Sequence, residues 1–118
     1  MTVQQLTIKE FNTVENYTIE ICNMRTQRFS FQPWMFKVDR TSPVGNPYFM
    51  HGESERNEVC DKYKAYFYKQ LHLNSEFAMY LRRMLSALKQ YGRIQLYCLC
   101  APKRCHAETI KAWLEQEI

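Results

Sequence analysis

Apolar residues recur along this chain with two different periods, and the switches between them divide it into strands and helices. The first 21 residues carry alternating segments, with Val3, Leu6 and Ile8 and then Tyr17, Ile19 and Ile21 set between polar neighbours. A period of two places one set of side chains on one face of a strand. Two strands or a hairpin are therefore predicted here, with Asn12 to Asn16 as the turn. Residues 23–33 keep no period and end in Gln32-Pro33, which reads as a loop. Trp34 to Val38 is a short apolar run and predicts a buried strand.

Beyond Gly52 the period lengthens. Val59, Tyr63, Tyr66, Phe67 and Leu71 recur at three- and four-residue spacing behind a candidate cap at Ser54, so residues 54–71 predict a helix. Asn74-Ser75 interrupts it. Phe77, Tyr80, Leu81, Met84, Leu85 and Leu88 then define a second helix over 76–91, closed by Gly92 as the residue after its C-terminus. Ile94 to Cys100 predicts a strand, and residues 105–116 a third helix with Ile110, Trp113 and Leu114 inward. The order is strands, then strand–helix–helix–strand–helix. That order fits a small α/β sandwich of two or three layers, with a partly parallel sheet and about three helices.

Composition narrows the class. At 118 residues the chain suits one domain, and 46% hydrophobic with 14% aromatic content is that of a folded core. No apolar run reaches the length of a membrane span and the N-terminus lacks an apolar leader, so a cytoplasmic protein with no membrane partner is expected. The net charge of +4 is mildly basic. It is compatible with a phosphate-bearing partner and leaves nucleic acid open without arguing for it. The cysteines number five, and three of them fall between Cys98 and Cys105. An odd count without a secretion signal points to reduced thiols rather than a disulfide scaffold.

Those thiols mark the first candidate site. Along the strand 94–100, residues 94, 96, 98 and 100 share one face, so Cys98 and Cys100 are expected to project together at its carboxyl end. The chain then turns at Ala101-Pro102 and enters a helix at Cys105-His106. Ligands of open α/β sheets sit beyond the carboxyl ends of strands, and a helix N-terminus favours anions and thiolates. Three readings compete: close packing of small apolar thiols, a zinc site built from Cys98, Cys100, Cys105 and His106, or a ligand-binding or catalytic role for Cys105 or His106. The spacing suits one tetrahedral ion poorly, so no cofactor is expected, with zinc as the alternative. His51 and His72 read as surface residues.

The second candidate is the loop Asp39-Arg40-Thr41-Ser42-Pro43-Val44-Gly45-Asn46-Pro47-Tyr48. Pro43 and Pro47 fix two φ angles, and Gly45 permits a close backbone approach. Arg40, straight after a strand, suits a phosphate or carboxylate. A plain structural corner is the competing account of the same residues.

Taken together, the motifs carry a resemblance. Arg40 to Tyr48, the Ser54-x-x-x-x-Val59 helix with its tyrosines, and Leu96-x-Cys98-x-Cys100-x-Pro102-x-x-Cys105-His106 resemble, in order, the phage and bacterial proteins grouped as domain of unknown function 4326. Asn23-x-Arg25 is a weaker upstream match. Leu99 stands where an aromatic residue is common, and Ala107-Glu108 where Gly-Asp is common, so the carboxylate is kept and Glu108 becomes a candidate site acid. The resemblance implies one domain over 1–118, with a family-like core at 23–118 and an added strand pair at 1–22. It also implies a small Rossmann-like sandwich similar to nucleotide-handling domains, and it supplies no activity.

The functional expectation is a phage- or bacterium-encoded protein that binds a nucleotide or nucleotide-derived ligand at the strand ends. Arg40, Ser42, Gly45, Asn46, Cys100 and Lys103 are the candidate binding residues, and His106, Glu108 and Cys105 the candidate catalytic ones. If there is a reaction, cleavage of an N-glycosidic or phosphate-ester bond suits an acid or imidazole beside an anion site. The alternatives are a non-catalytic interaction module with a structural Cys/His zinc clip, and a protein that sequesters a signalling nucleotide.

Overall fold

The computed structural model describes residues 17–118. Three strands, β1 (Thr18–Asn23), β2 (Met35–Lys37) and β3 (Arg93–Cys98), form one sheet in the order β1-β3-β2. Both pairs are parallel, so among the described residues the sheet is the parallel one of the expected α/β sandwich. The strand expected at residues 17–21 is β1. The preceding strand and the Asn12–Asn16 turn lie outside the described residues.

Parallel neighbours require a crossover between them. Between β2 and β3 it contains a 3-10 turn at Glu53–Glu55, helix α1 (Arg56–Leu73) and helix α2 (Ser75–Tyr91); α3 (Ala107–Glu117) follows β3. No side chain caps α1, so the Ser54 cap gives way to the 3-10 turn and the helix starts at Arg56. The break at Asn74 is real and does more than interrupt. Its side chain accepts from the N–H groups of Glu76 and Phe77 at 3.1 and 3.2 Å, which caps α2. Gly92 closes α2 with φ +73°, a left-handed conformation that glycine adopts freely.

The register explains the core. Ile19 stands opposite Ile94, and Ile21 and Phe36 both stand opposite Leu96. That face packs on Tyr63, Phe67, Phe77, Leu81, Met84, Ile110 and Leu114 from the three helices. Each such fully buried side chain contributes about 1.5–3 kcal/mol. The opposite face carries Glu20, Cys22, Met35, Lys37, Gln95 and Tyr97, and the coil between β1 and β2 covers it. Phe29 meets Tyr97 edge-on at 5.3 Å, with the Lys37 ammonium over Phe29 at 5.1 Å. Among the described residues the fold is therefore a two-layer α/β sandwich, with coil where a second helical layer would stand. No helix among them is long and apolar enough to cross a membrane.

Two boundaries near the expected site shift. β3 ends at Cys98, because the chain turns through Leu99–Pro102 with Lys103 N–H bonded to Cys100 C=O at 2.9 Å. Cys100 therefore leaves the strand and does not share a strand face with Cys98. α3 begins at Ala107, so Cys105 precedes the helix instead of heading it.

Candidate functional site

The Asp39 loop is a built turn. Asp39 accepts from Thr41 N–H at 3.2 Å and from the Thr41 hydroxyl at 2.5 Å, while Ser42 donates to Asp39 C=O through both N–H and hydroxyl. Arg40 folds back over its own loop. Its Nε donates to Asn46 C=O and its Nη2 to Tyr48 C=O, each at 2.9 Å, and its guanidinium lies 4.1 Å from the centre of the Phe49 ring. The Asn46 side chain accepts from Tyr48 N–H at 2.9 Å. Val44 is fully buried, and Tyr63 pins its carbonyl with a 2.7 Å bond. The apolar anchor, the proline-limited angles and the arginine clamp hold the loop in one shape.

The facing wall comes from the segment after β3 and the first turns of α1. Arg56 donates through Nε and Nη2 to Glu53, both at 2.8 Å, and through Nη1 to Arg104 C=O at 2.8 Å. Arg104 in turn reaches Asn57 at 2.9 Å and Asp61 at 2.9 Å. Arg56 and Lys103 hold the Glu53 carboxyl well down, to about 2. Asn23, at the end of β1, donates to Ala101 C=O at 2.8 Å and steadies the turn from the other side.

Between these walls, beyond the carboxyl ends of β2 and β3, lies a cleft of about 370 Å³. Arg40, Arg56 and Arg104 border it; Tyr48, Met50, Val59 and Leu99 supply apolar surface; Asp39 is its one carboxylate among the described residues. Arg56 and Arg104 have carboxylate partners, whereas Arg40 meets none among the described residues. The cleft therefore combines apolar walls with an excess of positive charge.

The structure brings Arg40, Asn46, Cys100, Cys105 and His106 together at this cleft. It places the other expected residues elsewhere. Gly45 packs under the loop against Asp39 and Arg40. Ser42 lines a separate groove between β2 and α2. Lys103 is exposed and paired with Glu53 at 3.3 Å, and Glu108 is exposed outside the cleft wall. His106 is buried, its Nε2 is bonded to Val38 C=O, and its ring meets Tyr63 edge-on at 5.0 Å. Burial lowers its pKa, so it stays neutral and, with Nε2 occupied, ties α3 to the end of β2. His51 and His72 are exposed.

A family model described as a domain of unknown function, DUF4326, matches residues 21–116, which takes in α1, α2, all but the last residue of α3, and both cleft walls. The chain belongs to this family. No match was found among curated proteins or among solved structures.

For this DUF4326 chain the cysteine motif resolves into separate places. Cys98 and Cys105 face each other with their sulfurs 3.6 Å apart, Cys100 lies in the turn on the cleft wall, and Cys60 approaches from α1. No three His, Cys, Asp or Glu side chains among the described residues gather closely enough to hold a metal ion. Of the set Cys98, Cys100, Cys105 and His106, the His106 ring is bonded to Val38 and Cys100 lies in the turn rather than on the strand. Arg56 and Cys60 were not among the residues expected from sequence. Their one available signal is that residues 56, 59 and 60 share a face at the start of α1. Arg104 stands beside the exposed Lys103 in the sequence, and nothing there marks it as the one that reaches the cleft.

Proposed function

We propose that the cleft binds a phosphate-bearing ligand of nucleotide size, with the phosphate drawn to Arg40 and the apolar part against Tyr48, Met50, Val59 and Leu99. The observation that carries this reading is Arg40, a guanidinium held at the cleft by its own loop and without a carboxylate partner among the described residues. Such a group attracts an anion while its position is already determined. The volume fits a small ligand, and apolar walls with a few placed polar groups are what such sites use.

Binding without turnover is the better supported half of the expectation. His106 is buried and bonded to Val38, Glu108 lies outside the wall, and Asp39 is bonded to Thr41. The candidate acid–base residues His106 and Glu108 are thus engaged or displaced, and the remaining catalytic candidate at the cleft is the Cys105 thiol, which favours sequestration of a nucleotide over hydrolysis of one. Calorimetric titration of nucleoside monophosphates against the matching nucleosides tests the reading. The nucleotides should bind more tightly and lose affinity as salt rises. Arg40→Ala should cost the nucleotides about 1.5–3 kcal/mol more than it costs the nucleosides, the range for a charged hydrogen bond, with any nucleoside loss reporting the loosened loop. Equal affinity for nucleotide and nucleoside would overturn the phosphate assignment.

A further inference from the structure

We infer that Cys98 and Cys105 form a redox-active dithiol in which Cys105 takes a small hydroperoxide from the cleft and Cys98 closes the pair to a disulfide. The two sulfurs are 3.6 Å apart, and the residues are 1% and 4% exposed. Of the two, only Cys105 lines the cleft, so a reagent the size of hydrogen peroxide meets Cys105 first while bulkier disulfides are kept from both.

The pair is held, not merely close. Cys98 ends the central strand, flanked by the turn that Asn23 fastens at Ala101. Cys105 precedes His106, whose ring is bonded to Val38 C=O, and the fully buried Ala107. Both backbones are therefore fixed by contacts that survive a movement of the sulfurs alone. The remaining cysteines lack this arrangement. Cys22 sits on the other face of the sheet and Cys60 on α1, and burial raises both thiols, Cys22 to about 11. Cys98 goes the other way: the Cys105 thiol donates to it and, with the nearby N–H groups of Cys100 and Ala101, brings it down to about 6, while the same contact pushes the donor Cys105 up, so the resting proton sits on Cys105. The facing thiols thus share one proton near neutral pH, and a thiolate is the reactive form.

The chemistry balances within the pair and one hydroperoxide. The shared proton moves from Cys105 to Cys98, leaving a Cys105 thiolate on the cleft wall. That thiolate attacks one oxygen of hydrogen peroxide, the O–O bond breaks, hydroxide leaves, and Cys105 becomes a sulfenic acid. Cys98 sulfur then attacks Cys105 sulfur. The S–O bond breaks, and the departing hydroxide takes the Cys98 proton as water. Two thiols have been oxidised to a disulfide and the peroxide reduced.

Trypsin provides a direct test, because Lys103 and Arg104 lie between the two cysteines. The reduced full chain is treated with hydrogen peroxide, its free thiols are alkylated, and it is digested. A disulfide would hold the peptide of residues 94–103 to the one beginning at Cys105. This linked pair should appear, with fragmentation assigning the bridge to Cys98, and vanish on treatment with dithiothreitol. In Cys98→Ser, dimedone should label Cys105, since the resolving thiol is gone. Two results would overturn the inference: peroxide that leaves Cys98 and Cys105 alkylatable while Cys60 or Cys100 oxidise, or a bridge assigned to Cys100. If Cys98→Ser does not fold, the linked peptide from the unaltered chain decides alone.

Discussion

Gly45 has no room for a side chain. A Cβ there would lie 2.5 Å from Asp39 O and 2.6 Å from Arg40 Cα, both backbone atoms that have no rotamer to yield. Gly45→Ala should therefore destabilise the protein by about 1–3 kcal/mol, as other overpacked sites do, read from urea unfolding. Nucleotide affinity should fall with it, because the displaced backbone carries Arg40. A Gly45→Ala variant as stable as the parent would mean the loop has slack. His106 gives a second prediction at this scale. Burial lowers its folded pKa beneath the ordinary 6.5, with Asp39 opposing and Arg40 reinforcing the effect. The unfolded chain then binds the proton first as pH falls, so this contribution is fully present above about 6.5 and is lost on acidification below it. Unfolding free energies measured from pH 7 to pH 5 should decline, and the decline should be shallower in His106→Asn. Equal slopes would place the sensitivity elsewhere.

Elements carry their own tests. Asn74 caps α2 through two N–H groups, so Asn74→Ala should cost about 1 kcal/mol, and Asn74→Ser should recover most of it. A loss confined to denaturant midpoint, with the slope unchanged, is the expected signature. The elements were also what the sequence made most legible. β1, α2 and the Gly92 cap follow from period and from residues with one dominant structural use. The errors sit where a period runs on past a turn. Leu96, Cys98 and Cys100 keep the alternation of a strand, yet the chain has already turned at Leu99, which is 45% exposed. Alternation reports which faces residues would occupy and carries no information on where backbone pairing stops. The same holds for Cys105, where apolar spacing continues into α3 from residues that are not yet helical.

For the molecule as a whole, the site was half legible. Arg40, Asn46 and the cysteine motif lie in segments whose prolines, glycine and small residues advertise a constrained backbone. Arg56 carries no such mark. Its role comes from the bond to Arg104 C=O, 48 residues away, and from Glu53 beside it. Only the packing of α1 against the turn after β3 brings them together. If that network shapes the cleft, Arg56→Met, which keeps bulk and removes the donors, should weaken nucleotide binding while altering nucleoside binding too, since the wall itself moves. An Arg56→Met variant with unchanged binding of both would reduce Arg56 to a surface ion pair, of the kind that contributes 0–1 kcal/mol.

The parallel sheet has a consequence for how the protein comes into being. β3 is the partner of both β1 and β2, and 75 residues separate Glu20 from the Gln95 side chain it accepts from. On a ribosome, then, β1 and β2 emerge before the strand that both pair with among the described residues, and they wait until the centre of the sheet has been synthesised. Helices α1 and α2 can form locally in the meantime, but the face they cover does not yet exist. A nascent chain halted before Arg93 should accordingly show helix without protected strand amides and should be cut readily by protease. Protection should arrive in a single step once Cys98 and the α3 residues Ile110 and Leu114 that cover the same face are free of the exit tunnel, so the centre of the sheet commits the fold only late in synthesis.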